Sequence, residues 1–351
     1  MSDKKFTIVT FTVFALLTSF VVAFNIWIDP MWHYGHAHTF NDVQQVIDER
    51  EQKIVRLRDG IQNEDTLLIG SSRSTYIHPS AFEMLDVFNF SVANLSMRAY
   101  DSMIRYGVQV HPEFEHVLLG VDFFKASEQE AGLPSSIMNY EKKIEGSFYK
   151  SKNALSLKVF DYAVGNFRLS WKDSITQDRL YNRQLEAFAR ELDDETRAKE
   201  LSLKIERFKE EFYGENFVFY EAYSEILNKV INNFKDQQFT FFTTPISTQL
   251  FAVLVEEGNY PDYERWIREL VDVNGEVVNF MYPNEYTNNS LNYLDGHHFY
   301  PHVGDAIAKQ LEAVIRGEEL DGSFGVRVTR ENVDEHLRDV RQTIDDWMAE
   351  Q

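Results

Sequence analysis

Two short segments of this chain carry residue types that could together transfer an acyl group. Gly70-Ser71-Ser72-Arg73-Ser74 follows directly on a run of apolar residues. A serine on a sharp strand-to-helix turn is presented at the top of a sheet, where backbone N–H groups can hold an oxyanion. An ordinary turn with a helix N-cap has the same composition, so the segment alone says little. Near the other end stands Asp295-Gly296-His297-His298-Phe299-Tyr300-Pro301-His302-Val303-Gly304. An Asp three residues before a His on a loop can fix the imidazole through Nδ1, leaving Nε2 to take a proton from a serine. Of the ten histidines only His298 has an Asp at that spacing. A chain this acidic is expected to show roughly one such pair by chance, so the pair gains weight only together with the serine turn.

Other readings of these residues are open. His33, His36 and His38 could bind a metal, but no nearby carboxylate beyond Asp29 completes a ligand set, and loop histidines at a membrane interface fit better. Asp295, His297, His298 and His302 could hold zinc; that ranks below a proton relay because it leaves the serine turn without a role. No metal and no cofactor is therefore expected. Glu206, Glu210 and Glu211 read as a solvated helix face rather than a catalytic carboxylate pair. Tyr76, Phe123, Phe124 and Tyr300 fall at predicted strand ends and could stack on sugar faces.

The elements that must position these groups are legible as short apolar runs. DTLLIGSSRS (65–74), VFNFSV (87–92), HVLLGVDFF (116–124), FTFFTTP (239–245) and EVVNFM (276–281) are continuous rather than alternating. Strands buried on both faces of a parallel sheet read this way. Helical stretches lie between them, which predicts an α/β class with helices on both faces. A serine turn after the first strand and an Asp-x-x-His after the last would then meet at one sheet edge. More than a hundred residues separate the third strand from the fourth, far beyond a normal crossover. They contain two helix-like blocks, Thr176–Tyr213 and Tyr220–Phe234, and predict a helical insert at about 140–236. Phe40–Ile61 has helical spacing. The tail after Thr329 predicts a helix with Val333, Leu337, Val340, Ile344 and Trp347 on one face.

Phe6–Ile28 is a 23-residue run without a charge, long enough to cross a bilayer. Lys4 and Lys5 precede it and Asp29 follows, which predicts a short cytoplasmic N-terminus and an outside body. Trp27 and Trp32 are expected to anchor the outer interface. A cleaved signal peptide would have a shorter apolar region and small residues at the cut, whereas bulky NIWIDPMWHY follows here. The whole chain has 351 residues, 44% of them hydrophobic and 26% charged, which excludes a mainly disordered protein. Its net charge of −21 disfavours nucleic acid as a partner. The absence of Cys removes disulfides, thiolate metal sites and cysteine nucleophiles.

The order GSSRS, NLSMRAYD, LLGVDFF and DGHHFYPHVGDAI resembles the SGNH (GDSL-like) hydrolase family. Within it, the chain is similar to the membrane-anchored extracytoplasmic branch that serves teichoic-acid and polysaccharide O-acylation, as in D-alanyl-lipoteichoic acid transfer and alginate acetylation. The resemblance covers roughly residues 25–315 and includes the Asn25-x-x-x-Asp29-Pro30 junction. It implies a three-layer α/β/α domain with a flavodoxin-like parallel sheet. It also implies Ser72 as nucleophile, His298 as general base and then acid, and Asp295 as its orienting partner. The family's second-block glycine should fall near Arg98 and Ala99, where no Gly stands, so backbone N–H groups there and at Ser72 are the implied oxyanion donors. The third-block Asn is replaced by Asp122, which cannot donate when ionised, leaving Arg73 or Asn94 as substitutes.

The resulting expectation is a cytoplasmic N-terminus (1–5), an anchor (6–28), a juxtamembrane linker and helix (29–60), an SGNH-like domain (61–321) and a helical tail (322–351). The body would lie in the bacterial periplasm or its extracytoplasmic equivalent, beside a membrane-bound O-acyltransferase partner, and act on acyl groups of a cell-surface polysaccharide. A non-catalytic glycan-binding or scaffold partner of that acyltransferase is the alternative.

Overall fold

A computed structural model describes residues 2–60, 63–131, 137–173, 175–320 and 322–351. Ile61 and Asp321, the expected limits of the α/β domain, lie outside the described residues. The helices along the chain include α1 (Asp3–Ile28), α2 (Glu49–Gly60), α3 (Tyr100–Val110), α4 (Tyr149–Leu155), α5 (Leu157–Lys172), α6 (Asp194–Glu211), α7 (Tyr223–Asn233), α8 (Thr248–Glu256), α9 (Tyr260–Asn274), α10 (Pro301–Ile315) and α11 (Val333–Ala349). The longer strands are β1 (Thr66–Ile69), β2 (Val87–Asn89), β3 (His116–Val121), β4 (Gln238–Thr243), β5 (Glu276–Asn279) and β6 (Val326–Thr329). The chain divides into two compact units, residues 1–62 with 138–188, and residues 63–137 with 189–351. The expected insert at 140–236 is thus shared between them.

In the first unit α1 is long and apolar enough to cross a membrane, with a mean hydropathy of 2.2 over its best window. It stops at Asp29, whose left-handed backbone (φ 51°) returns its N–H to Asn25 O. The buried Asp29 carboxylate then accepts the His33 and Tyr34 backbone N–H groups, both at 2.8 Å, and pairs with Arg183 at 2.6 Å. This charge-assisted knot is the physical content of the Asn-x-x-x-Asp-Pro junction. Trp32 does not face an interface: it is buried against Tyr181, while Trp27 stays partly exposed and stacks on His38. The expected helix from Phe40 begins only at Glu49, because Gln44–Gln45 pairs with Leu180–Tyr181 in a small antiparallel sheet that Ala187–Phe188 completes. That sheet also shortens the expected Thr176–Tyr213 helix, which starts at Asp194.

The second unit holds the main sheet, in the order β2-β1-β3-β4-β5-β6. The first five strands run parallel, with Thr66 beside both Val87 and His116, His116 beside Gln238, and Phe242 beside Val278. All five coincide with the apolar runs. Leu67, Leu68, Ile69, Leu118, Leu119, Phe241, Phe242 and Val277 are buried, as continuous apolar strands require. β6 was not expected: it is antiparallel to β5, with Glu276 opposite Thr329. Its sequence VRVT is too short and mixed to stand out. The tail packs back through Val333, Leu337, Val340 and Ile344, and Leu337 O accepts the Tyr260 hydroxyl at 2.6 Å. In a parallel sheet the turns after β1, β3, β4 and β5 open at one edge, the C-terminal edge where open α/β sheets build their sites.

Candidate active site

The serine turn is held from below. The Asn89 side-chain amide donates to Ser74 O and Ile77 O at 2.9 and 2.8 Å, and the Thr75 hydroxyl donates to Ser72 O at 2.6 Å. α10 closes on the same turn. A Cβ on Gly304 would lie 2.0 Å from Tyr76 O, so only glycine lets the helix approach this closely. The histidine loop is shaped by Gly296, whose φ of 76° an L side chain resists. Gly296 O accepts the Ser247 N–H at 2.7 Å, and His298 O accepts the Leu294 N–H at 2.9 Å.

These supports bring the three relay residues into line. Ser72 Oγ lies 3.0 Å from His298 Nε2, and His298 Nδ1 lies 2.9 Å from Asp295 Oδ2. The other carboxylate oxygen accepts the backbone N–H groups of His297 and His298 at 3.0 and 2.7 Å. Lys204, from α6, adds an ion pair to Asp295 Oδ2 at 2.7 Å. Burial pushes the Asp295 carboxyl up, but His298 and Lys204 outweigh it and hold it well below the usual carboxylate range. An ionised Asp295 keeps the proton on Nδ1 and leaves Nε2 free to accept from Ser72. His297 stands edge-on to His298, with ring centroids 4.7 Å apart. Burial, then the nearby Arg73 and His298, hold the His297 pKa well below the usual histidine range, so it stays neutral.

The relay faces a cavity of about 340 Å³ lined by Ser71, Ser72, Asn94, Phe124, Lys125, Lys204 and Phe208 among others. The remaining expected residues are spread differently. Arg73 is 1% exposed and points away into an ion pair with Asp122 at 2.7 Å, to which the Thr244 hydroxyl also donates. Neither Arg73 nor Asp122 lines the cavity. The backbone N–H groups of Arg98 and Ala99 are already given to Ser96, at 3.3 Å to its hydroxyl and 2.9 Å to its carbonyl. The Arg98 side chain reaches Ala131 O and the Tyr220 hydroxyl instead. Asn94 does sit on the cavity wall, in left-handed backbone (φ 50°), and its side-chain oxygen accepts from Lys125. Phe124 forms part of the wall, whereas Tyr76 and Phe123 are core. His302 meets Asn292 at 2.8 Å, and burial lowers its pKa.

Lys204, Phe208 and Lys125 were not singled out from the sequence. On α6 the residues Leu201, Lys204, Ile205 and Phe208 share one face at helical spacing, a signal diluted there by the many surrounding charges. In the first unit His33 meets Asp59 and Asn153, while His36 and His38 both meet Trp27 O. Among the described residues no three His, Asp or Glu side chains gather closely enough to hold a metal ion. No known family model matches this chain, and no curated protein matches it.

Proposed function

We propose that this chain is a membrane-anchored SGNH-like acyl-transfer enzyme acting on O-acyl groups of a cell-surface glycopolymer. The observation that carries the reading is the Ser72–His298–Asp295 line, at 3.0 and 2.9 Å, opening on a cavity. The strand order supports a flavodoxin-like α/β/α architecture, because counting from β1 the parallel strands run 2-1-3-4-5. Ser72 Oγ attacks the acyl carbon while its proton passes to His298 Nε2. The imidazolium, held by ionised Asp295, then gives that proton to the departing alkoxide oxygen, leaving the acyl group on Ser72. A sugar hydroxyl or water repeats the sequence in reverse, losing its proton to Nε2 as the ester bond to Ser72 breaks. Asn94 and Lys125 share the cavity wall with Ser72 and are assigned here as side-chain donors to the oxyanion. Lys4 and Lys5 before α1 support a cytoplasmic N-terminus and an outside body, and a membrane-bound O-acyltransferase is the natural source of acyl groups there.

One observation favours the alternative, a non-catalytic glycan-binding or scaffold partner of such an acyltransferase. The expected backbone donors at Arg98 and Ala99 are occupied by Ser96. A fluorophosphonate probe with adduct mapping separates the two. Labelling of Ser72, lost in Ser72→Ala but kept in Ser71→Ala, supports the enzyme. An unlabelled, folded wild type, with Ser72→Ala cells retaining normal polymer acylation, sinks it.

A further inference from the structure

The first unit carries a surface that acyl transfer does not use. α4 and α5 meet in an elbow at Leu155-Ser156-Leu157, whose leucines are 57% and 73% exposed. α1 runs alongside. Phe160 packs on Phe20 and Phe24 with ring centroids 6.0 and 5.3 Å apart, and Phe167 packs on Phe24 and Trp27 at 5.9 and 6.1 Å. Earlier residues of α5 thus meet earlier residues of α1. At about 1.5 Å per residue, Phe20 and Phe24 lie roughly 13 and 7 Å before Asp29, inside the apolar run. The elbow therefore sits beside the last turns of the hydrophobic helix and not beyond its end.

Its backbone is prepared for an apolar setting. The buried Asn25 amide donates to Ala154 O and Ser156 O, both at 3.0 Å, so these carbonyls need no water. Its charge is also distinctive. Residues 149–172 hold five cations (Lys150, Lys152, Lys158, Arg168, Lys172) against one carboxylate, Asp161, in a chain of net charge −21. All but Lys150 are exposed. Long basic side chains that flank apolar ones reach headgroups while their stems stay among acyl chains. Trp171, 66% exposed, stands at the far end of α5 beside Phe40, as an interfacial aromatic does. Asp161 and Arg168 on α5 limit entry to the headgroup–acyl boundary.

We propose that this elbow is a lipid wedge: Leu155 and Leu157 enter the leaflet from which α1 emerges, and the surrounding cations bind anionic headgroups. The proposal rests on α1 spanning the bilayer. It gives the first unit two membrane attachments, which would set its tilt where a single helix would let it swivel.

The chain lacks Cys, so a single introduced thiol can report depth. Full-length Leu157→Cys and Phe11→Cys proteins are labelled with an environment-sensitive fluorophore. They are reconstituted in phosphatidylcholine–phosphatidylglycerol vesicles carrying nitroxides high or low on the acyl chain. The Leu157 label should emit to the blue, resist iodide and be quenched more by the shallow nitroxide than by the deep one. The Phe11 label should show the reverse preference. Lys152→Glu with Lys158→Glu should reduce quenching at Leu157. A Leu157 label open to iodide while the Phe11 label is lipid-quenched overturns the wedge and leaves the span standing. A label shielded from iodide yet untouched by either nitroxide means a protein covers the elbow, which also overturns it. A Phe11 label without lipid quenching removes the span and the wedge together.

Discussion

On the proposed function, replacing Asp295 by Asn should cost about four decades in acylation of Ser72, and the structure says why the site cannot repair the defect by turning the amide over. Asp295 uses one oxygen for two backbone N–H groups, at 3.0 and 2.7 Å, and the other for His298 Nδ1 and Lys204. An Asn in this place has one accepting end and one donating end. If its oxygen stays with the two loop N–H groups, its NH2 faces Nδ1 and donates to it. The ring proton must then sit on Nε2 and point at Ser72, so the base is lost. If the amide flips, Nδ1 and Lys204 are satisfied, but two part-buried N–H groups face an NH2, at about 1–3 kcal/mol each, whereas the first arrangement displaces only the long, partly exposed Lys204 side chain. The first arrangement therefore dominates. By analogy with other relays the loss is ~10⁴ in rate, which at about 1.4 kcal/mol per decade is about 5 kcal/mol of transition-state stabilisation. The assay is the burst of p-nitrophenol from p-nitrophenyl acetate with purified protein in detergent, beside circular dichroism to confirm the fold. Asp295→Asn within tenfold of wild type, with His298→Ala inactive, would refute the tautomer argument.

Three further outcomes follow from the supporting structure. Arg73→Met leaves Asp122 buried without its partner, and should lower stability by about 3–5 kcal/mol in denaturant melts, with Asp122→Asn in the same chain restoring part of it; a loss under about 1 kcal/mol would contradict that pairing. Gly304→Ala drives a methyl into Tyr76 O and should cost about 1–3 kcal/mol or more while weakening Ser72 labelling, whereas unchanged melting and labelling would mean α10 can shift freely. Burial lowers the His336 pKa to about 4, against about 6.5 unfolded. The unfolded chain then binds the proton first, so stability is full above pH 6.5 and falls by up to about 3 kcal/mol towards pH 4. His336→Leu should flatten that part of the stability profile, and a variant with the wild-type slope would show that other groups set it.

Much of the fold was legible because parallel strands buried on both faces must be continuous apolar runs. All five parallel strands could be marked, as could the apolar helix before Asp29 and the inner face of the tail helix. The relay was legible for a related reason. A short spacing, Asp295 to His298, and a turn of small residues at Ser72 are local signatures, and parallel topology carries both to one edge. β6 escaped notice because edge pairing leaves a weaker pattern than burial on two faces. Trp32 looked interfacial from its position, but a left-handed residue at φ 59° turns it into the interior.

What surrounds the relay depended on tertiary structure alone. Lys204 lies about ninety residues before Asp295, and only its place on the face of Leu201, Ile205 and Phe208 separates it from the other lysines of α6. Arg73 stands next to Ser72, yet its side chain turns away because Asp122, at the end of a neighbouring strand, offers a buried ion pair. The N–H groups of Arg98 and Ala99 are claimed by Ser96 in a turn whose geometry the residue types do not dictate. Composition and spacing determine which groups can react. Which of them face the cavity is decided by competition among partners that only packing brings within hydrogen-bond reach.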